Sequence, residues 1–173
     1  MNRERRRAAK DPKTGRPNMP GYGILNGDKG KGLFPWSWAA ERLTAATTYW
    51  LATVRPDGRP HAMPVWGVFL DDAFYFSSGM QSRKVRNLAD NPRCVVCCEV
   101  GEDQIILEGI AEEAPDPKLR RWFCDVYQAK YDWDMEGFSE PFFVVHPIVV
   151  FGFTTGAGEF GESATRWVFD ADQ

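Results

Sequence analysis

Short apolar runs with a two-residue period dominate the chain, separated by Gly, Pro and Asp, with a few stretches at helical spacing between them. Tyr49 to Val54 reads as a strand, and Arg55-Pro56-Asp57-Gly58-Arg59-Pro60 as a hairpin turn, because Pro56 presets φ and Gly58 permits the left-handed conformation. His61 to Leu70 predicts the returning strand, and Asp71-Asp72 turns the chain into a third, Ala73 to Ser77. Arg93 to Val100 and Gln104 to Glu113 predict a second hairpin around Gly101-Glu102-Asp103. Phe138 to Val145 and Ile148 to Phe153 are apolar β runs separated by His146-Pro147. The Gly-rich loop from Gly156 to Gly161 then leads to a last strand near Arg166 to Phe169.

Three segments switch to helical spacing. Trp36, Ala39, Leu43 and Ala46 predict a short amphipathic helix after Ser37. Ser82 can cap a helix whose apolar face is Val85, Leu88 and Ala89 and which stops before Pro92. Asp116 as N-cap and Pro117 as first helical residue open the clearest helix, with the core stripe Leu119, Trp122, Phe123, Val126 and Tyr127. About seven strands in hairpin order with about three helices predict a mainly β fold with peripheral helices, a closed or partly closed antiparallel barrel, and disfavour a parallel α/β sheet. Upstream, the density of Gly and Pro up to Gly32 predicts an extended arm over residues 1–32 without regular structure, leaving 33–173 as one domain.

Composition changes this picture in three ways. The 173 residues suffice for one core but not two, and an aromatic content of 14% must be buried in that core, a partner surface or a ligand pocket. No apolar run approaches the ~20 residues that cross a bilayer and no secretory signal opens the chain, so a cytoplasmic protein without membrane contact is expected. Residues 1 to 32 hold nine Lys/Arg against three Asp/Glu, and the remainder 12 against 21. The basic stretch Arg3, Arg5, Arg6, Arg7, Lys10 has no aromatic interleaving and reads as a solvated tail. The acidic body is a poor nucleic-acid surface. Cys94, Cys97, Cys98 and Cys124 read as reduced, inert thiols: the Cys94/Cys97 pair lacks a second pair, and residues three apart in a strand face opposite sides.

The candidate chemistry lies in Ser77-Ser78-Gly79-Met80-Gln81-Ser82-Arg83-Lys84-Val85-Arg86. Hydroxyls and cations crowd the first turn of a helix, where unpaired N–H groups and the helix dipole already favour an anion. A bound phosphate or carboxylate explains cations at that place; the alternative is a solvated basic turn. In the neighbouring strand, His61, Met63 and Val65 share one face and Ala62, Pro64 and Trp66 the other, and Pro64 marks an edge, a bulge or a ligand-facing position. With two histidines and no G-x-S-x-G, H-E-x-x-H, G-x-G-x-x-G or P-loop pattern, a hydrolytic triad, a zinc site, a Rossmann site and a P-loop find no support.

The order Tyr49-Trp50-Leu51-Ala52-Thr53-Val54, Asp57-Gly58-Arg59-Pro60-His61, Pro64-Val65-Trp66, Tyr75-Phe76-Ser77-Ser78, Ser82-Arg83-Lys84, Asn87-Leu88 and Asn91-Pro92 resembles the pyridoxamine 5′-phosphate oxidase-like, FMN-binding split β-barrel superfamily. Its branch of flavin- and F420-dependent oxidoreductases is the nearer likeness, over about Phe34 to Phe169. The resemblance implies a homodimer with cofactor at the subunit interface, FMN or coenzyme F420 as the cofactor, and hydride transfer to or from a small conjugated substrate. It also implies roles: His61, Met63, Pro64, Val65 and Trp66 line the ring; Ser77 and Ser78 approach the ribityl-phosphate region; Ser82, Arg83 and Lys84 hold the phosphate. Arg166-Trp167 reaches a cofactor, from the other subunit. No histidine follows His146 and the Arg-x-His pattern of true pyridoxamine phosphate oxidases is missing, which argues against vitamin B6 oxidation. A non-catalytic flavin or haem binder for storage or sensing is the alternative.

Overall fold

The hairpins of the sequence assemble into one antiparallel sheet that bends on itself. The computed structural model describes residues 11–29, 32–114, 116–155 and 159–169. Among them the strands are β1 (Lys13–Gly15), β2 (Tyr49–Val54), β3 (Pro60–Val65), β4 (Gly67–Leu70), β5 (Ala73–Ser77), β6 (Arg93–Val100), β7 (Asp103–Glu113), β8 (Phe142–Thr154) and β9 (Thr165–Val168). The helices are α1 (Trp36–Ala45), α2 (Arg83–Asp90), α3 (Pro117–Tyr131) and the short α4 (Phe160–Ser163). Neighbours run β1-β9-β8-β7-β6-β2-β3, and β5 joins β4 to β8. The mainly β, antiparallel expectation therefore holds, with a sheet that is split rather than closed by hydrogen bonds.

Two predicted runs meet different fates, and both matter for the site. His61 to Leu70 is not one strand but two, because the chain breaks at Trp66: β3 pairs with β2, while β4 turns away to pair with β5. The barrel is thus joined at this seam by a covalent bend instead of a ladder. Conversely, the runs around His146-Pro147 form the single strand β8, which carries β7 along its length and, on its other edge, β5 at Phe142–Val145 and β9 at Val149–Gly152. Its ladder with β7 shifts register between Glu108 and Gly109, opposite Pro147. This bulge adds one residue and reverses side-chain parity, so Phe143 and Val145 before it and Val150 after it all point into the same core. Gly109 permits the close approach, since a Cβ there would lie 2.4 Å from the His146 carbonyl oxygen.

Two apolar clusters follow from this shape. Tyr49, Leu51, Phe74, Phe76, Val96, Leu107 and Trp167 fill the barrel, plugged by Ala39 and Leu43 of α1. Helix α1 starts at Trp36, slightly ahead of the expected start after Ser37, and the Trp36 indole N–H donates to Asp72 Oδ1 at 2.7 Å. Helix α3 covers the outside of β4, β5 and the first half of β8, where its Phe123 meets Val68, Tyr75, Phe142 and Val144. Asp116 caps it by accepting the Lys118 N–H, as the sequence suggests.

The arm departs from expectation at one place. Lys13–Gly15 adds a strand to β9, and the Arg16 guanidinium donates to the carbonyls of Ala164 and Glu162 at 2.7 and 2.9 Å, binding the arm to the end of α4. The basic stretch Arg3 to Lys10 and residues 156–158 of the Gly-rich loop lie outside the described residues. No helix among those described is long and apolar enough to cross a membrane. Cys94 and Cys98 are core thiols, and burial pushes both up to about 12, as expected of inert cysteines.

At the seam, Gly67 has no room for a side chain: a Cβ would sit 2.4 Å from Phe74 Cζ and 2.6 Å from the Tyr75 carbonyl oxygen, and Phe74 is fully buried. Gly67→Ala is expected to destabilise the fold by about 1–3 kcal/mol through overpacking, read as a lowered midpoint in chemical denaturation.

Candidate functional site

Helix α2 begins with Arg83 and Lys84 and has no acid in its first turn. Ser82 is its N-cap: the hydroxyl accepts the Val85 N–H at 3.3 Å and lies 3.0 Å from the Ser78 hydroxyl. That takes care of one of the helix's first N–H groups, while those of Arg83 and Lys84 have no intrahelical acceptor. Burial pushes the Lys84 ammonium below the usual lysine range. Ser77 is tied down differently, donating to the Pro141 carbonyl at 2.9 Å.

This turn opens onto a cleft of about 370 Å³ at the seam, lined by Thr48, Pro64, Val65, Trp66, Ser77, Lys84 and Tyr127. The volume falls within the range of roughly 300–1,000 Å³ typical of small-molecule sites. Five predicted residues therefore meet in one cleft, and Ser78, Ser82 and Arg83 stand beside them through the cap of α2. His61 and Met63 share the face of β3 that carries Val65 toward β2, by the register Thr53↔His61 and Leu51↔Met63. Met63 is left 44% exposed.

His61 rests on a buried polar pair. The Asn87 Nδ2–H donates to Thr53 Oγ1 at 2.9 Å, and that hydroxyl lies 3.3 Å from the His61 carbonyl oxygen and 3.5 Å from its Nδ1. Asn87 is fully buried, yet its Oδ1 has no partner. Desolvation, then the cations Arg55, Lys84 and Arg83, hold the imidazole below its usual range. The surroundings of His61 are therefore electropositive and suited to an anion.

Helix α3 builds the other wall, which the sequence reading took as core at Tyr127 and did not single out at Tyr131. The Tyr131 hydroxyl accepts the Gly67 N–H at 2.9 Å and donates to the Gly67 carbonyl at 2.7 Å. Lys130 Nζ donates to that carbonyl at 3.1 Å, to Tyr49 Oη at 2.8 Å and to the Thr44 carbonyl at 3.2 Å. Burial pushes Lys130 down to about 8 and Tyr131 up to about 12. The Trp66 ring lies flat on Tyr131, with centroids 4.8 Å apart and planes 4° apart. A continuation of the Tyr127 stripe by four residues was the available signal.

Arg166 and Trp167 are not brought to this cleft. Trp167 is fully buried, ring-packed with Trp36 and Trp38, and its indole N–H donates to the Phe34 carbonyl at 3.2 Å. Its role is in the barrel core, which corrects the expectation that it touches a cofactor. Arg166 faces outward at the far end of a row whose register is Pro64–Trp50–Cys97–Ile106–Phe151–Arg166. Five strand spacings, about 24 Å of sheet, separate Arg166 from Pro64, and Arg166 lines a different pocket, with Arg16, Ile106 and Phe151, rather than the seam cleft.

A split antiparallel barrel with a cationic helix start opening on its seam is the architecture of flavin-binding split-barrel proteins. The chain belongs to the pyridoxamine 5′-phosphate oxidase family, whose model matches residues 38–150. Among solved structures it is similar to a FAD-binding protein from Mesorhizobium loti, at 23% identity and a TM-score of 0.58, covering 77% of this chain and 94% of that one. An F420 reductase matches at 23% identity and 0.54, covering 64% and 93%. The haem storage protein HutZ from Vibrio cholerae matches at 18% and 0.55, covering 64% and 88%. No curated protein matches the chain.

The His61 environment has a measurable consequence. Its folded-state pKa lies below the unfolded value of about 6.5, so the native state resists protonation: its contribution to stability is complete above about pH 6.5 and declines as pH falls toward the folded value. An NMR titration should place the His61 midpoint below 6.5. Lys84→Ala should move it upward, and a midpoint at or above 6.5 in the wild type contradicts the cationic field described here.

Proposed function

We propose that this chain is a flavin-type oxidoreductase that holds FMN or the deazaflavin F420 in the seam cleft and serves hydride transfer to or from a small conjugated molecule. The observation that carries the reading is the junction of a helix start that bears cations and no acid in its first turn with a cleft that Pro64, Val65, Trp66 and Tyr127 help to line. The donor set fits a phosphate: the Arg83 and Lys84 amides, the Ser78 and Ser82 hydroxyls and the Lys84 ammonium converge on one turn. Pro64, Val65 and Trp66 supply the surface for a planar ring. The bound flavin would supply the hydride chemistry at its ring. The residues of the chain hold phosphate and ring in register with substrate and keep water from the reacting face.

The cleft completes itself against a second copy in this reading. The outward row between Pro64 and Arg166 is largely apolar, with Trp50 53% exposed, and Val54 and Ile110 are exposed on the same face. Exposed apolar area of this kind marks an association surface. A two-fold axis near Cys97 and Ile106 would set the row end to end against itself and bring one copy's Arg166 toward the other's Pro64. The F420 reductase and FAD-binding protein among the similar structures support the ligand class, and their identities extend to the fold alone.

A second reading, storage or sensing of flavin or haem without turnover, is favoured by one observation. His61 is held toward its neutral form, which is the form that ligates haem iron. Turnover of reduced cofactor with an artificial acceptor separates the readings, because a storage protein holds its ligand without transferring hydride.

Two outcomes are expected. Lys84→Ala should weaken FMN or F420 binding by roughly tenfold or more, the loss of a charge-assisted hydrogen bond, in a fluorescence titration. Equal affinity in variant and wild type overturns the phosphate assignment. Trp50→Glu, which puts a charge into the apolar row, should convert a dimer to monomer in analytical ultracentrifugation and weaken cofactor binding with it.

A further inference from the structure

The start of α3 borders a groove that lies apart from the seam cleft. About 450 Å³ in volume, it has an apolar floor in Tyr75, Ala114, Leu119 and Val144. Its rim carries the carboxylates of the exposed residues Glu112, Glu113 and Asp116, with His146 beside them. Glu112 pairs with His146 at 3.2 Å, and Asp116 Oδ1 accepts the Lys118 N–H as the cap of α3. The result is an apolar trough under three acids, and the seam cleft shares none of its residues.

The course of the chain brings a segment of opposite charge toward this trough. Strand β1 sets Lys13 level with Val168 and, through it, with Val149 of β8. Because β1 runs antiparallel to β9, the residues before Lys13 head toward the end of β8 that holds His146 and Val144. Two strand spacings across and the stretch of β8 from Val149 to Val144 along give a diagonal of about 20 Å. Arg7, Arg6 and Arg5 stand six to eight residues before Lys13, and a chain of that length spans up to about 20–29 Å. From Arg3 to Lys10 the sequence holds five cations against one acid, Glu4.

Single exposed ion pairs are weak, so a groove of this kind holds a free basic peptide poorly. A tethered segment meets it at an effective concentration of the order of 1 mM, where a Kd of about that size already gives half occupancy. Arginine suits both parts of the groove, its stem lying on an apolar floor while its guanidinium meets carboxylates at the rim. We infer that the groove between the start of α3 and the outer face of β7 and β8 is the docking site of the chain's own basic segment, centred on Arg5, Arg6 and Arg7. Docked there, these cations are neutralised within the molecule instead of being offered to nucleic acid or anionic lipid. The inference is independent of the oxidoreductase reading.

The test uses the full-length protein at low salt. A zero-length carbodiimide, which joins an amine to a carboxylate, should link Lys10 or the N-terminal amine to Glu112, Glu113 or Asp116. Mass spectrometry on a mixture of ¹⁵N-labelled and unlabelled protein should find these links within one copy. Trypsin should cleave after Arg5, Arg6 and Arg7 about two- to fivefold more slowly in wild type than in Glu112→Lys/Glu113→Lys, and about 0.5 M salt should abolish the difference. Glu41→Lys/Glu102→Lys makes the same change of charge on exposed residues around Asp103, at the opposite end of β7, and should keep the wild-type rate. Equal cleavage in all three proteins, protection that persists in the groove variant, links spread over other acids, or links only between copies overturn the docking site.

Discussion

A sheet strand that changes partners must leave backbone groups without a ladder, and the organisation of this protein follows from how that is settled at Trp66–Gly67. Strand β3 ends against β2 and β4 begins against β5, so the amide and carbonyl of Gly67 at the turning point need other acceptors and donors. Tyr131 and Lys130 provide them from α3. Leaving such groups unpaired in a half-buried place costs about 1–3 kcal/mol each, comparable to a sizeable fraction of a domain's stability. The helix is therefore not a cover laid over a finished barrel but part of what lets the barrel split, and the cleft exists where the split occurs.

Charge follows the same logic of a cost accepted locally. Cations at a helix start oppose the dipole by a few tenths of a kcal/mol each, and Arg83, Lys84 and Arg86 occupy the opening residues of α2 with no acid among them. The Ser82 cap and the apolar residues Val85 and Leu88 hold the helix in spite of this. Burial keeps Lys84 below its usual range, and burial together with the cations Arg55, Lys84 and Arg83 does the same for His61, a field that an anion would relax. On the same helix, the Oδ1 of buried Asn87 has no partner among the described residues.

Features set by neighbouring residues were legible in the sequence. The Asp57-Gly58 turn, the Ser82 and Asp116 caps and the α3 stripe depend on contacts within a few positions, and the start of α2 shares a cleft with the end of β3. What escaped depends on distant pairing. Between His61 and Leu70, Pro64 marks an irregular place without saying that the two halves choose different neighbours, and His146-Pro147 interrupts a strand in composition while a bulge carries the ladder through. Trp167 illustrates the limit of an alternating pattern: it separates two faces but does not say which faces the core, and the parity switch in β8 lies far from it in sequence. Lys13–Gly15 became a strand because β9 offers it an edge, a fact absent from its own composition.

The edge of β3 bears on how a second copy would approach. Pro60 and Pro64 sit in its ladder with β2 opposite Val54 and Trp50, and a proline keeps such a place without loss only where its nitrogen points away from the neighbour. Residues of that parity face the free edge, so beside the carbonyls of Pro60, Ala62 and Pro64 it offers an added strand a single donor, the N–H of Ala62. Edge-to-edge extension of the sheet is thereby disfavoured beside the cleft, while the exposed face carrying Trp50 remains available. A second copy of the kind proposed above would therefore approach face-on, across the row that ends at Arg166, rather than along this edge.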